Sequence, residues 1–68
     1  MNDVCYARLF KLLIDKGMSK TEFAKVCGLT SPTLAKLSKN EYISMGNLVK
    51  ICKGLECQLS DIVEVRNN

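Results

Sequence analysis

Between Ser19 and Leu37 the chain places helix starts and stops so close together that it can hold only two short helices joined by a tight corner. Ser19 and Glu22 have the Ser-x-x-Glu spacing of a capping box, in which hydroxyl and carboxylate each satisfy a backbone N–H left free at a helix start. Gly28 ends that helix two turns later, because glycine takes the left-handed conformation that closes a helix without steric cost. Thr30 or Ser31 can cap the next helix, and Pro32 suits its first turn, where the missing N–H has no intrahelical partner anyway. The second helix then spans roughly residues 31–38. Neither helix is long enough to be stable alone, so each must bury an apolar face. Ala24 provides a small residue where two helices cross, and Gly28, four residues on, provides the positive φ of the turn. Phe23, Cys27, Leu29, Leu34 and Leu37 occupy every place at which both helices would face a core.

The rest of the chain supplies further helices. Asn2 or Asp3 can cap a first helix running to about Lys16, with Gly17 as its left-handed stop. Arg8, Lys11 and Asp15 share one stripe of that helix, leaving Leu9, Phe10, Leu12, Leu13 and Ile14 on a broad apolar arc. Either the other helices and the C-terminal tail cover the arc, or part of it pairs with a second subunit. Lys39, Asn40 and Glu41 form a polar connection, with Asn40 best able to turn left-handed. Tyr42 and Ile43 read as a packed loop, and Ser44 caps a fourth helix that Gly54 ends. A last short helix is predicted over Leu59 to Val63, and the tail of Ile62 to Arg66 begins to alternate as a short strand would.

With 68 residues the chain has room for one small core, so a single domain over residues 1–68 is expected. Its 47% hydrophobic and 25% charged content is that of a folded protein rather than a disordered one. No apolar run approaches the roughly 20 residues that cross a bilayer, and the N-terminus lacks the order of a signal peptide, so no membrane partner and a cytoplasmic location are expected. Cys5, Cys27, Cys52 and Cys57 are scattered among aliphatics without C-x-x-C spacing, which predicts reduced, buried thiols and no metal site. The absence of His, of any Ser-His or Cys-His pairing and of a glycine-rich phosphate loop predicts no catalytic residue, no cofactor and no small-molecule substrate.

The net charge of +3 is unevenly placed. Residues 19–40 hold Lys20, Lys25, Lys36 and Lys39 against Glu22, a balance of +3, while residues 1–18 sum to +1 and residues 41–68 to −1. A phosphate-facing patch needs such an excess, although a solvated face shows it too. Lys25 reads as solvated surface.

Met18 to Asn40, M-S-K-T-E-F-A-K-V-C-G-L-T-S-P-T-L-A-K-L-S-K-N, resembles the Cro and lambda-repressor-like (XRE-type) helix-turn-helix family. Leu9 to Gly17 is similar to the family's first helix and Ser44 to Val63 to its fourth and fifth, so the resemblance covers nearly the whole chain. It implies an all-α, compact five-helix domain, with the helix-turn-helix at about residues 20–38, that binds operator DNA as a small transcriptional regulator, with repression the expected mode. Two departures stand out: Ser38, Lys39 and Asn40 occupy places where many members have Glu-x-Gly, and Ser31 and Pro32 replace a frequent Gln. Base preference therefore does not carry over from relatives.

In the family's docking mode the second motif helix enters the major groove N-terminal end first. The resemblance then assigns base-facing positions to Ser31, Pro32, Thr33 and Lys36. Lys36 can donate to guanine O6 and N7, or else remain a solvated lysine touching phosphate alone. Ser19 and Lys20 at the start of the first motif helix, and Lys39 and Asn40 beyond the second, correspond to phosphate-contacting positions. Ser19 could instead serve the cap alone, and Tyr42 could either donate its hydroxyl to a phosphate or pack on the core. Relatives generally bind near-palindromic double-stranded DNA as dimers, so a homodimer is expected. The rival reading is a protein-binding module on the same fold, such as an antitoxin or a nuclease inhibitor.

Overall fold

The computed structural model describes residues 3–66. The chain runs β1 (Val4–Cys5), α1 (Ala7–Asp15), α2 (Lys20–Cys27), α3 (Ser31–Ser38), α4 (Met45–Leu55), a 3-10 turn (Leu59–Asp61) and β2 (Glu64–Val65). The expected five-helix, all-α architecture is thus corrected to four α-helices, one 3-10 turn and a small sheet among the described residues. The two strands pair antiparallel, Val4 opposite Val65 and Cys5 opposite Glu64.

That pairing explains where α1 begins. The helix starts at Ala7 instead of after Asp3, because the residues before it are drawn into the ladder with the C-terminal tail. Its N-cap is Tyr6, whose side chain makes no capping bond. Asn2, the other suggested cap, lies outside the described residues. Gly17 closes α1 as expected, at φ +67°, with the Met18 N–H returning to the Leu13 carbonyl. The apolar arc of α1 is partly covered: Leu9 and Leu13 are buried, Phe10 and Leu12 half-buried, and Ile14 stands 78% exposed.

The core joins Leu9 and Leu13 of α1 to Phe23 and Cys27 of α2, Leu37 of α3, Ile51 and Leu55 of α4, and Ile62 behind the 3-10 turn. Burying each of the larger of these side chains stabilises the fold by about 1.5–3 kcal/mol. Gly54 does not end α4; the helix continues to Leu55, and Glu56 takes the left-handed cap at φ +54°. Gly54 is required for a different reason. A Cβ there would lie 2.6 Å from the Cys27 sulfur and 3.3 Å from the Cys27 Cα, so the glycine lets α4 cross α2 at close range. The predicted last helix shortens to the 3-10 turn; beyond it Ile62 is buried in the core and Val63 packs against that core before β2 begins.

Candidate nucleic-acid interface

The α2–turn–α3 unit is built by the local signals its sequence carries. The Ser19 Oγ accepts from the Glu22 N–H at 3.1 Å, and the Glu22 carboxylate accepts from the Ser19 N–H at 3.3 Å, completing the capping box. Gly28 sits at φ +69° with its N–H on the carbonyls of Ala24 and Lys25, and the Leu29 N–H also returns to Ala24, at 2.9 Å. Phe23, Cys27 and Leu37 are buried, while Leu29 and Leu34 are half-buried against the same core. All five apolar positions of the pattern therefore face inward.

The opposite face of α3 is open. Ser31, Pro32 and Lys36 are exposed and Thr33 is half-buried. Pro32 and Lys36 are one turn apart and share a face. Thr30 is the N-cap in extended conformation but makes no side-chain cap; its hydroxyl pairs with that of Thr33 at 3.1 Å. Of the four side chains assigned to base contact, Thr33 is thus the one whose polar atom is already engaged.

The residues assigned to phosphate flank this helix pair, Ser19 and Lys20 entering α2 and Lys39, Asn40 and Tyr42 following α3. At the α2 start the capping box uses the N–H groups of Ser19 and Glu22. Those of Lys20 and Thr21, which no intrahelical carbonyl can reach, remain for an anion beside the positive end of the helix dipole. The Lys20 ammonium lies 5.1 Å from the centroid of the Phe10 ring, a cation–π contact with α1.

Beyond α3, Asn40 adopts φ +56°, the left-handed turn its sequence suggested. Its side chain does more than tolerate that turn: Oδ1 accepts the backbone N–H of Tyr6 at 3.0 Å. Tyr6, only 2% exposed, reaches past it, and its hydroxyl donates to the Glu41 carbonyl at 2.8 Å. Tyr6 thus pegs the 40–43 loop in place from the entrance of α1, a role that sequence reading did not assign to it. The only available signal was a single aromatic next to a helix start, with nothing to point to its distant partners. Of the expected packed loop, Ile43 does pack against the core, whereas Tyr42 is 66% exposed, which corrects the reading for that residue. Its hydroxyl donates to the Asp3 carboxylate at 3.0 Å, and that bond together with the Asp3 charge raises its pKa.

Burial raises the Tyr6 phenol above its ordinary value of 10.0, with a backbone hydrogen bond at Ile43 partly offsetting it. The buried Cys27 thiol is raised above 9.0 by the same desolvation, reinforced by Cys52. Groups with raised folded-state values keep protons that the unfolded chain releases, so stability falls as pH climbs past the unfolded values. Urea midpoints are expected to decline from about pH 9 upward, and a Tyr6→Phe variant to show a shallower decline above about pH 10. An unchanged slope in that variant would remove Tyr6 from the account.

Residues 8–67 match the Cro/C1-type HTH DNA-binding domain family. Over 59 residues, 84% of this chain and 70% of the relative, the sequence is 39% identical to YozG of Bacillus subtilis (strain 168), an uncharacterized HTH-type transcriptional regulator. The fold matches the crystal structure of the transcriptional regulator VanUg (form II) with a TM-score of 0.92 at 42% sequence identity, over 97% of this chain and 88% of that one. Matched from α1 to the C-terminal tail, with the α2–turn–α3 unit intact inside the match, this chain belongs to the Cro/C1-type helix-turn-helix family of DNA-binding transcriptional regulators.

Proposed function

We propose that residues 1–68 act as one domain that binds double-stranded DNA sequence-specifically and represses transcription, with α3 lying in the major groove. The observation that carries this reading is the outward display of Ser31, Pro32 and Lys36 on a helix whose other face is locked to the core by Leu34 and Leu37. Lys36 donates to guanine O6 or N7, Ser31 meets either donors or acceptors, and Pro32 and the Thr33 methyl contact apolar base edges such as a thymine methyl. Ser19, Lys20, Lys39 and Asn40 position the domain on phosphates without reading sequence. Tyr42 joins them by exchanging its Asp3 acceptor for a phosphate oxygen.

One reading helix spans a short footprint, so the active species is a homodimer on a near-palindromic operator. Ile14 on α1 and Val65 on β2, 78% and 70% exposed, mark the apolar surfaces that a second copy would cover.

Selection of bound duplexes from a random pool at about 150 mM salt tests the proposal, since non-specific phosphate binding is weak there. An enriched palindrome is the expected result, an enriched lone half-site would refute the dimer, and no enrichment would refute sequence reading altogether. On the selected site, Lys36→Ala should relax preference at one base pair by about tenfold, whereas Lys39→Ala should weaken all sequences alike and flatten the salt dependence. Equal losses on operator and random DNA in the Lys36 variant would remove it from base contact.

A further inference from the structure

Two of the four cysteines are brought together by the way α4 ends. The left-handed residue Glu56 turns the backbone so that its own N–H and that of Cys57 both bond to the Cys52 carbonyl, the latter at 2.9 Å. The chain leaving the helix therefore returns over the last turn, as the 6→1 bond of a Schellman cap dictates. That return sets Cys57 over Cys52, the pairing of side chains that accompanies this kind of cap. Both residues are half-buried, whereas Cys5 and Cys27 are sealed in the core at 5% exposure each. Two cysteines set together on such a turn can be bridged with little backbone movement. Lys16 at the end of α1 and Asp61 of the 3-10 turn are the charges facing Cys57.

We propose that Cys52 and Cys57 form a dithiol modification site, which a hydroperoxide converts to an intramolecular disulfide across the C-terminal cap of α4. Cys52 is the attacking sulfur of the proposal and Cys57, whose thiol is raised above its ordinary value by burial, the resolving one. In the first step the Cys52 thiolate attacks one peroxide oxygen; the O–O bond breaks, leaving a sulfenic acid and a hydroxide that takes up a proton. In the second, the Cys57 sulfur attacks the Cys52 sulfur as its own proton departs; the S–O bond breaks and a second water leaves. Two thiols have lost two electrons and two protons, and one hydrogen peroxide has become two waters. The site is independent of the proposed DNA contacts.

The test is to treat the folded, reduced protein with hydrogen peroxide, block the remaining thiols by alkylation and map tryptic peptides by mass. Cleavage after Lys50, Lys53 and Arg66 separates the two cysteines, so the expected product is peptide 51–53 linked to peptide 54–66, with Cys5 and Cys27 alkylated only after unfolding. In Cys57→Ser the reaction should stop at a Cys52 sulfenic acid that dimedone traps. In Cys52→Ser, oxidation of Cys57 should slow by at least about tenfold. A first link that involves Cys5 or Cys27, a disulfide between chains, or sulfinic acid formed without any link would each overturn the proposal. The wild-type map decides the matter even if either variant fails to fold.

Discussion

Asn40→Ala is expected to destabilise the protein by about 2–4 kcal/mol, from two separable losses. One is the acceptor for the backbone N–H of Tyr6, a residue 2% exposed, so that an unpaired buried donor is left at a cost of about 1–3 kcal/mol. The other is conformational: φ is +56° at this position, and a Cβ without a short polar head pays about 1 kcal/mol or more to stay there. A core in a chain this small rarely supplies more than about 3–5 kcal/mol of net stability, so the loss consumes most of the margin. A fall in thermal midpoint on the order of 10–20 °C follows.

Neighbouring substitutions separate the two losses. Asn40→Gly keeps the backbone conformation and loses only the acceptor, so it should be more stable than the Ala variant by about 1 kcal/mol. Amide exchange at Tyr6 should accelerate in both. Asn40→Asp retains the acceptor and should stay within about 1 kcal/mol of wild type, yet it places a negative charge where the proposed interface meets phosphate, so its DNA affinity should drop most at low salt. Equal stability of the Ala and Gly variants, with unaltered Tyr6 exchange, would show that neither term operates.

The Asn40 link also shows which parts of this structure could be read from the chain. The capping box of Ser19 and Glu22, the left-handed Gly28 and Pro32 in the first turn of α3 each act within four residues, and the helix-turn-helix they define is present as read. Exposure of Ser31, Pro32 and Lys36 follows from the same local periodicity, once Leu34 and Leu37 are turned inward. What could not be read depends on distant partners. Val4–Cys5 pairs with Glu64–Val65 across nearly the whole chain; the alternation of Ile62 to Arg66 hints at β2, but nothing in Val4–Cys5 points to a strand or to its partner. Tyr6 lies 34 residues from the asparagine that completes its hydrogen bonding. Tyr42 beside Ile43 suggested a packed aromatic, but Tyr6 fills the buried place and Tyr42 is left outside on Asp3. The Thr30–Thr33 hydroxyl pair, which engages one proposed base-reading side chain, follows from rotamer choice and not from spacing.

Gly54 looks like a helix stop from the chain alone, but its constraint comes from α2, and the second large effect lies there. Gly54→Val is expected to cost about 3 kcal/mol, at the upper end of the range for overpacking a well-filled core. The Cβ alone would meet the Cys27 sulfur at 2.6 Å, the Cys27 Cα at 3.3 Å and the Cys27 Cβ at 3.4 Å, and valine adds two methyls to that Cβ. The sulfur cannot simply swing away, because Cys27 is 5% exposed. Intrinsic propensity runs the other way: replacing a mid-helix glycine by alanine should gain up to about 1 kcal/mol where nothing is in the way. Gly54→Ala therefore sets propensity against contact, and contact should win by about 1–2 kcal/mol while Cys27 is present. Cys27→Ala removes the nearest atom, so in that background Gly54→Ala should cost much less or become neutral, with a coupling of about 1–2 kcal/mol in the double-mutant cycle. Thermal or urea unfolding of the four proteins measures this, and additive effects would show that α4 and α2 do not meet as closely as the glycine implies. A stop signal, by contrast, would be indifferent to residue 27, because a helix end depends on the backbone of its own last turn and not on a sulfur from another helix.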